Sequence, residues 1–147
     1  MYVRELHARY RRRRLHGWSL PLGPVQTHKE AARLFVTILR EEVVEVGGLL
    51  CLSTRHEVLA YHELSRGTVD GTIMHPREVF KAALLVNASA VILGHNHPSG
   101  NVTPSAEDLA ITKRIASGGE LMGIQLADHV IVSADGTYFS FKESGSL

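Results

Sequence analysis

Apolar positions change their period several times along this chain, and the changes mark out its elements. Ala31, Leu34, Phe35, Ile38 and Leu39 recur at helical spacing and predict a helix with one buried face, ending near Arg40. Thr27 and Glu30 have the spacing of a capping box at its start. Val46 to Ser53 is a largely apolar run, the mark of a buried strand, with a bulge or close backbone approach expected at Gly47-Gly48. Glu57 to His62 reads as its hairpin partner, and residues 63–75 as an irregular Gly- and Thr-rich loop.

Pro76 suits the first position of a helix running to about Asn87, with His75 as a cap or loop anchor before it. Ala90 to Gly94 is a short buried strand. Thr103 and Pro104 are expected as N-cap and first residue of a third helix, which Gly118 and Gly119 would end. Val130 to Ser133 and Tyr138 to Phe141 flank Asp135-Gly136, a pair suited to a hairpin turn. The order α-β-β-α-β-α-β-β predicts an α/β domain, one mixed β-sheet flanked by helices.

A chain of 147 residues is the size of one domain with one core. Its 44% hydrophobic and 21% charged residues are the balance of a globular protein. No apolar run reaches the roughly 20 residues of a membrane span, and the N-terminus has no apolar segment of a signal peptide. The single cysteine, Cys51, excludes an internal disulfide and belongs to the core. A cytoplasmic protein is the expectation.

The net charge of +1 conceals an asymmetry. Residues 1–14 hold six arginines and one glutamate, +5, which leaves −4 for the rest. Residues 1–24 therefore read as a basic N-terminal arm and 25–147 as the folded domain. Arg9, Arg11, Arg12, Arg13 and Arg14 are candidate contacts for nucleic-acid phosphates, since such a cluster attracts DNA by charge alone. Solvated charge is the competing reading of the same residues.

The candidate chemistry lies in "GHNHPSGNVTPSAED", residues 94–108. Nine histidines make about half a chance occurrence of H-x-H, so the dipeptide spacing alone carries little. In an extended segment, however, His95 and His97 point the same way. Asp108 follows Ser105 by three residues at a helix start, which puts both on one face and turns Glu107 away. Two imidazoles and a carboxylate form a natural zinc set with a position left open. A turn that contains histidines, followed by helix-start residues, fits those positions too. Requiring Ser and Asp at their spacings lowers the chance rate to about one in a thousand.

This H-x-H, Ser, Asp pattern, with a glutamate on an earlier strand, resembles the JAMM (MPN-type) metalloprotease signature. "MHPREV", "NASAVILGHNHPSG", "TPSAED", "GELMGI" and "LADHVIVS" are similar to the RadC family, JAMM-like bacterial proteins named for DNA repair. The likeness covers about residues 25–143, without the helix-hairpin-helix module of full-length relatives. It implies a JAMM/MPN-like fold of cytidine-deaminase-like architecture.

It also implies His95, His97 and Asp108 as ligands of one zinc ion per chain, with Glu45 and Ser105 catalytic. Glu45 is selected over Glu41 and Glu42 by its place eight residues before Ser53. The implied reaction is hydrolysis of an amide or isopeptide bond in an unidentified protein or peptide. Glu45 would act as proton acceptor and donor, and Ser105 as hydrogen-bond donor to the developing oxyanion. Asp128 and His129 match a family "DH" pair that would orient a ligand histidine or simply begin a strand. Arg66-Gly67-Thr68 matches a family "RGT". The deubiquitinating branch commonly carries Ser or Thr between its histidines where this chain has Asn96, so the likeness does not by itself imply ubiquitin as substrate. The alternative is a non-enzymatic DNA- or protein-binding module.

Overall fold

The computed structural model describes Arg9 and residues 23–67 and 74–147. Among them eight elements follow one another: α1 (His28–Leu39), β1 (Val46–Leu52), β2 (Val58–Arg66), α2 (Pro76–Leu85), β3 (Ala90–Asn96), α3 (Ala106–Met122), β4 (Gln125–Val132) and β5 (Tyr138–Ser140). They build one small α/β domain with a mixed sheet of order β2-β1-β3-β4-β5. Only β3 and β4 pair in parallel, and α3 is the crossover that a parallel neighbour requires. No helix among the described residues is long and apolar enough to cross a membrane.

The two central strands are buried on both faces, which is why each reads as an unbroken apolar run. Alternation sorts their side chains. Val46, Leu50, Leu52, Ala90 and Ile92 pack with Leu34, Phe35 and Ile38 of α1. Leu49, Cys51, Val91 and Leu93 pack on the opposite face with Val79, Phe80 and Ile115 of α2 and α3. Burial pushes the Cys51 thiol up to about 11, as expected of a core residue.

Local signals explain most of the element ends. Thr27 and Glu30 form the anticipated capping box, and the His75 ring accepts a hydrogen bond from the Arg77 amide as N-cap of α2. The β1–β2 register slips between Gly47 and Gly48, a bulge where the sequence suggested one.

Five boundaries differ. Strand β2 runs on to Arg66 through residues expected in a loop. As the sheet edge it is only partly buried on either face and shows no clean alternation to extrapolate. Strand β3 continues past Gly94, so His95 and Asn96 stand on a strand and not in a loop. Ser105, not Thr103, caps α3: a reciprocal box needs a carboxylate or amide three residues on, which Asp108 supplies and Ala106 would not.

Gly118 and Gly119 do not end α3, which closes at Gly123 in the left-handed conformation. They allow close packing instead. A Cβ on Gly118 would lie 2.7 Å from the Phe80 ring, and one on Gly119 would run into the Ile124 carbonyl. Strand β4 also starts earlier than Val130, at Gln125.

Gly94 shows how tightly the α1 face is filled, because a Cβ there would overlap the fully buried Phe35 ring. Gly94→Ala is therefore expected to destabilise the domain by about 1–3 kcal/mol through overpacking. A urea unfolding curve would show a lower midpoint with an unchanged slope.

Candidate metal centre

The candidate site lies at the carboxyl end of β3, where the chain turns towards α3. His95 is on the strand, His97 just beyond it, and Asp108 in the first turn of α3. Their ligand atoms lie within 4.8 Å of one another. Nε2 of His95 is 3.0 Å from Nε2 of His97 and 3.2 Å from Asp108 Oδ1, and His97 Nε2 is 3.8 Å from Asp108 Oδ2. His95 is fully buried and Asp108 nearly so.

The proton inventory tests whether these residues fit a metal. His97 Nδ1 lies 2.6 Å from the Asn101 carbonyl, which can only accept, so Nδ1 carries the hydrogen. A neutral His97 therefore presents a bare Nε2 to the site. Two ring nitrogens and a carboxylate oxygen then face one point, an arrangement that calls for a proton or a metal ion between them. A nitrogen, nitrogen and oxygen set of this kind suits zinc or a similar first-row divalent ion.

Asp108 is held as a carboxylate. Burial alone would raise its pKa. The neighbouring His95 ring, with hydrogen bonds from the Ser105 amide and hydroxyl, outweighs burial and holds it well below the usual carboxylate range. Ser105 Oγ donates to Asp108 Oδ2 at 2.7 Å and accepts from the Asp108 amide at 3.1 Å. The capping box of α3 and the orientation of Asp108 are thus one set of contacts.

The paired Asp128 and His129 separate. Strand β4 pairs Val91 with Leu126 but Ile92 with Asp128, so one extra residue enters and the face parity flips. His129 consequently shares the face of Leu93 and His95, and its Nε2 lies 3.0 Å from His95 Nδ1. It is wholly buried and stacked on Phe141. Burial, seconded by the charge of His95, pushes its pKa well below the ordinary value, against the opposing pull of Asp108.

Asp128 turns to the other face. It accepts from the Ser140 hydroxyl (2.7 Å) and the Lys142 amide (3.0 Å), fastening the C-terminal segment. It orients no ligand histidine.

Three glutamates precede β1. Glu41 is exposed beside Arg40, and Glu42 is held by both terminal nitrogens of Arg66. Glu45 is half-buried, and its carbonyl accepts from the Gly67 amide at 2.8 Å. The β1–β3 pairing ends with Gly47 opposite His95, two residues after Glu45.

The sequence marks Asn96 as the residue between two histidines but predicts no contact for it. Pointing opposite to them, its buried amide accepts from Val46 N (2.8 Å) and donates to Val44 O (2.9 Å) and, at 3.4 Å, to Glu42 O. It grips the backbone on both sides of Glu45. Its strand position gave no signal for this, because the partner lies 50 residues away. Of the arginine cluster only Arg9 is described, and it is exposed; Arg11, Arg12, Arg13 and Arg14 lie outside the described residues.

The fold and the convergent triad define a JAB-type domain. The chain matches the family described as RadC-like JAB domain over residues 25–146 and belongs to that family. It is 50% identical over 109 residues to a UPF0758 protein of Thermotoga maritima, covering 74% of this chain and 47% of the relative. A UPF0758 protein of Nitrosococcus oceani is 48% identical over 130 residues, 88% of this chain and 58% of that one. The chain thus spans about half the length of the curated relatives it matches.

Asn96→Ala should leave His95, His97 and Asp108 in place but strand the Val46 amide, at a cost of about 1–3 kcal/mol. Hydrogen exchange would show faster exchange confined to the segment around Val46, with metal uptake unchanged.

Proposed function

We propose that this domain is a zinc-dependent metallohydrolase that cleaves an amide bond, of peptide or isopeptide type, in a protein or peptide substrate. The observation that carries this reading is the meeting of His95 Nε2, His97 Nε2 and an Asp108 carboxylate oxygen at one buried point. One zinc ion per chain would supply a Lewis acid there and bring a water molecule down to a pKa of about 7.

The chain's own residues supply the remainder. Glu45, one residue before β1 and braced by Asn96 and Gly67, accepts a proton from the attacking water and returns it to the leaving amine. Ser105 turns its hydroxyl hydrogen from Asp108 Oδ2 to the oxygen on which negative charge develops. His129 holds the His95 ring from behind, and Asn101 holds His97.

The second reading, a non-enzymatic DNA- or protein-binding module, is favoured by the +5 balance of residues 1–14. Metal content decides between them. Tag-free wild type is expected to carry close to one zinc per chain by plasma mass spectrometry, and His95→Ala/His97→Ala close to none. If wild type takes up no metal after zinc is supplied, the hydrolase reading fails and the binding module leads. Glu45→Gln should keep its zinc yet lose on the order of 10²–10⁴-fold in turnover of any peptide the wild type cleaves. Full turnover by Glu45→Gln would remove Glu45 from the mechanism.

A further inference from the structure

Behind the ligand histidines runs a chain of buried polar contacts that ends on the hydroxyl of Thr112, on α3. Thr112 Oγ1 lies 2.6 Å from the Asp108 carbonyl oxygen, one helical turn back, and 2.7 Å from His129 Nδ1. His129 Nε2 in turn lies 3.0 Å from His95 Nδ1. Thr112 is 1% exposed, and His129 and His95 are at 0%, so no solvent can complete a missing bond.

The direction of every hydrogen follows from one of them. A hydroxyl has a single hydrogen, and a carbonyl can only accept. An oxygen–oxygen approach of 2.6 Å without a hydrogen between would set lone pair against lone pair. The Thr112 hydrogen is therefore committed to Asp108 O, the usual i−4 bond of a helical threonine. Oγ1 is left as an acceptor, and His129 Nδ1 must carry the hydrogen that reaches it.

His129 is sealed between Phe141 and the sheet, with no carboxylate on either ring nitrogen, and a charged ring there would cost several kcal/mol. It is neutral, so its Nε2 is bare. His95 Nδ1 then supplies the hydrogen between the two rings, and His95 Nε2 is bare where it faces Asp108 Oδ1 and His97 Nε2.

We infer that Thr112 is a positioning residue of the metal site: through His129 its hydroxyl fixes the ring tautomer of His95 that presents Nε2 as a ligand. The relay also closes on itself. It begins at the Asp108 main chain and ends at His95 Nε2, beside the Asp108 side chain. With the relay reversed, His95 Nε2 would carry a hydrogen and be unable to bind a metal. The inference rests on the reading of His95 as a ligand, but its first test does not need zinc.

That test is long-range proton–nitrogen NMR of the metal-free wild type at about pH 8.5, above the ordinary imidazole range. The expected result is His129 protonated at Nδ1 and bare at Nε2, with a hydrogen on His95 Nδ1. A hydrogen on His129 Nε2, with His95 Nδ1 bare, would overturn the inference, and neither outcome depends on a variant that folds. The second test is zinc affinity by competition with a chromophoric chelator. Thr112→Val keeps the shape and removes the hydroxyl, and should weaken binding about 10–100-fold. Thr112→Ser should restore most of the loss.

Wild-type affinity in Thr112→Val, or Thr112→Ser as weak as Thr112→Val, would show that packing and not the hydroxyl matters, and the inference would fail. Wild type that binds no zinc would instead defeat the proposed function, with the tautomers still decided by NMR.

Discussion

Two imidazole nitrogens 3.0 Å apart, with a carboxylate oxygen 3.2 Å from one of them, cannot rest together as three bare lone-pair atoms. A proton or a metal ion has to lie among them, and most of the polar structure near β3 serves to keep them facing that point. Ser105 holds Asp108 from the helix start, Asn101 holds His97 from the loop, and His129 holds His95 from the neighbouring strand. Each tie comes from a different part of the chain. The site is therefore a product of the packed sheet and helix and could not survive in a short peptide.

Strand parity does the sorting. His95 and Asn96 are neighbours in sequence but serve opposite faces, one towards the α3 side and the other towards the backbone that carries Glu45. The single extra residue in β4 works in the same way, sending His129 to the site and Asp128 to the C-terminal segment. Without that bulge the two would exchange faces. An irregularity that costs one ladder position is thus what joins β4 to the ligand set.

The segment before β1 is built with similar care. Arg66 pins Glu42 from the end of β2, Gly67 bonds the Glu45 carbonyl, and Asn96 brackets the same residue from β3. Arg66-Gly67 and Asn96, remote from each other in sequence, are thereby two sides of one clamp. That clamp gives Glu45 a defined backbone position.

Much of this was legible before folding was considered. Capping chemistry is local, so Thr27–Glu30 declared the start of α1, and the buried runs of β1 and β3 declared the centre of the sheet. The spacing of His95, His97, Ser105 and Asp108 is local too, since a strand end and a helix start carry those residues at fixed offsets. The sheet edge at β2 was not legible, because a strand only partly buried on either face leaves no alternation.

Nor were Gly118 and Gly119, whose purpose is the approach of Phe80 and Ile124. Asn96, Thr112 and the parting of Asp128 from His129 were decided only in three dimensions. Their partners lie on other strands and helices, and a one-residue change of register reverses which face a side chain serves. Sequence by itself determined which ligands this domain offers. Tertiary structure decided which nitrogen of each histidine meets the site, because that depends on where the other nitrogen finds its partner.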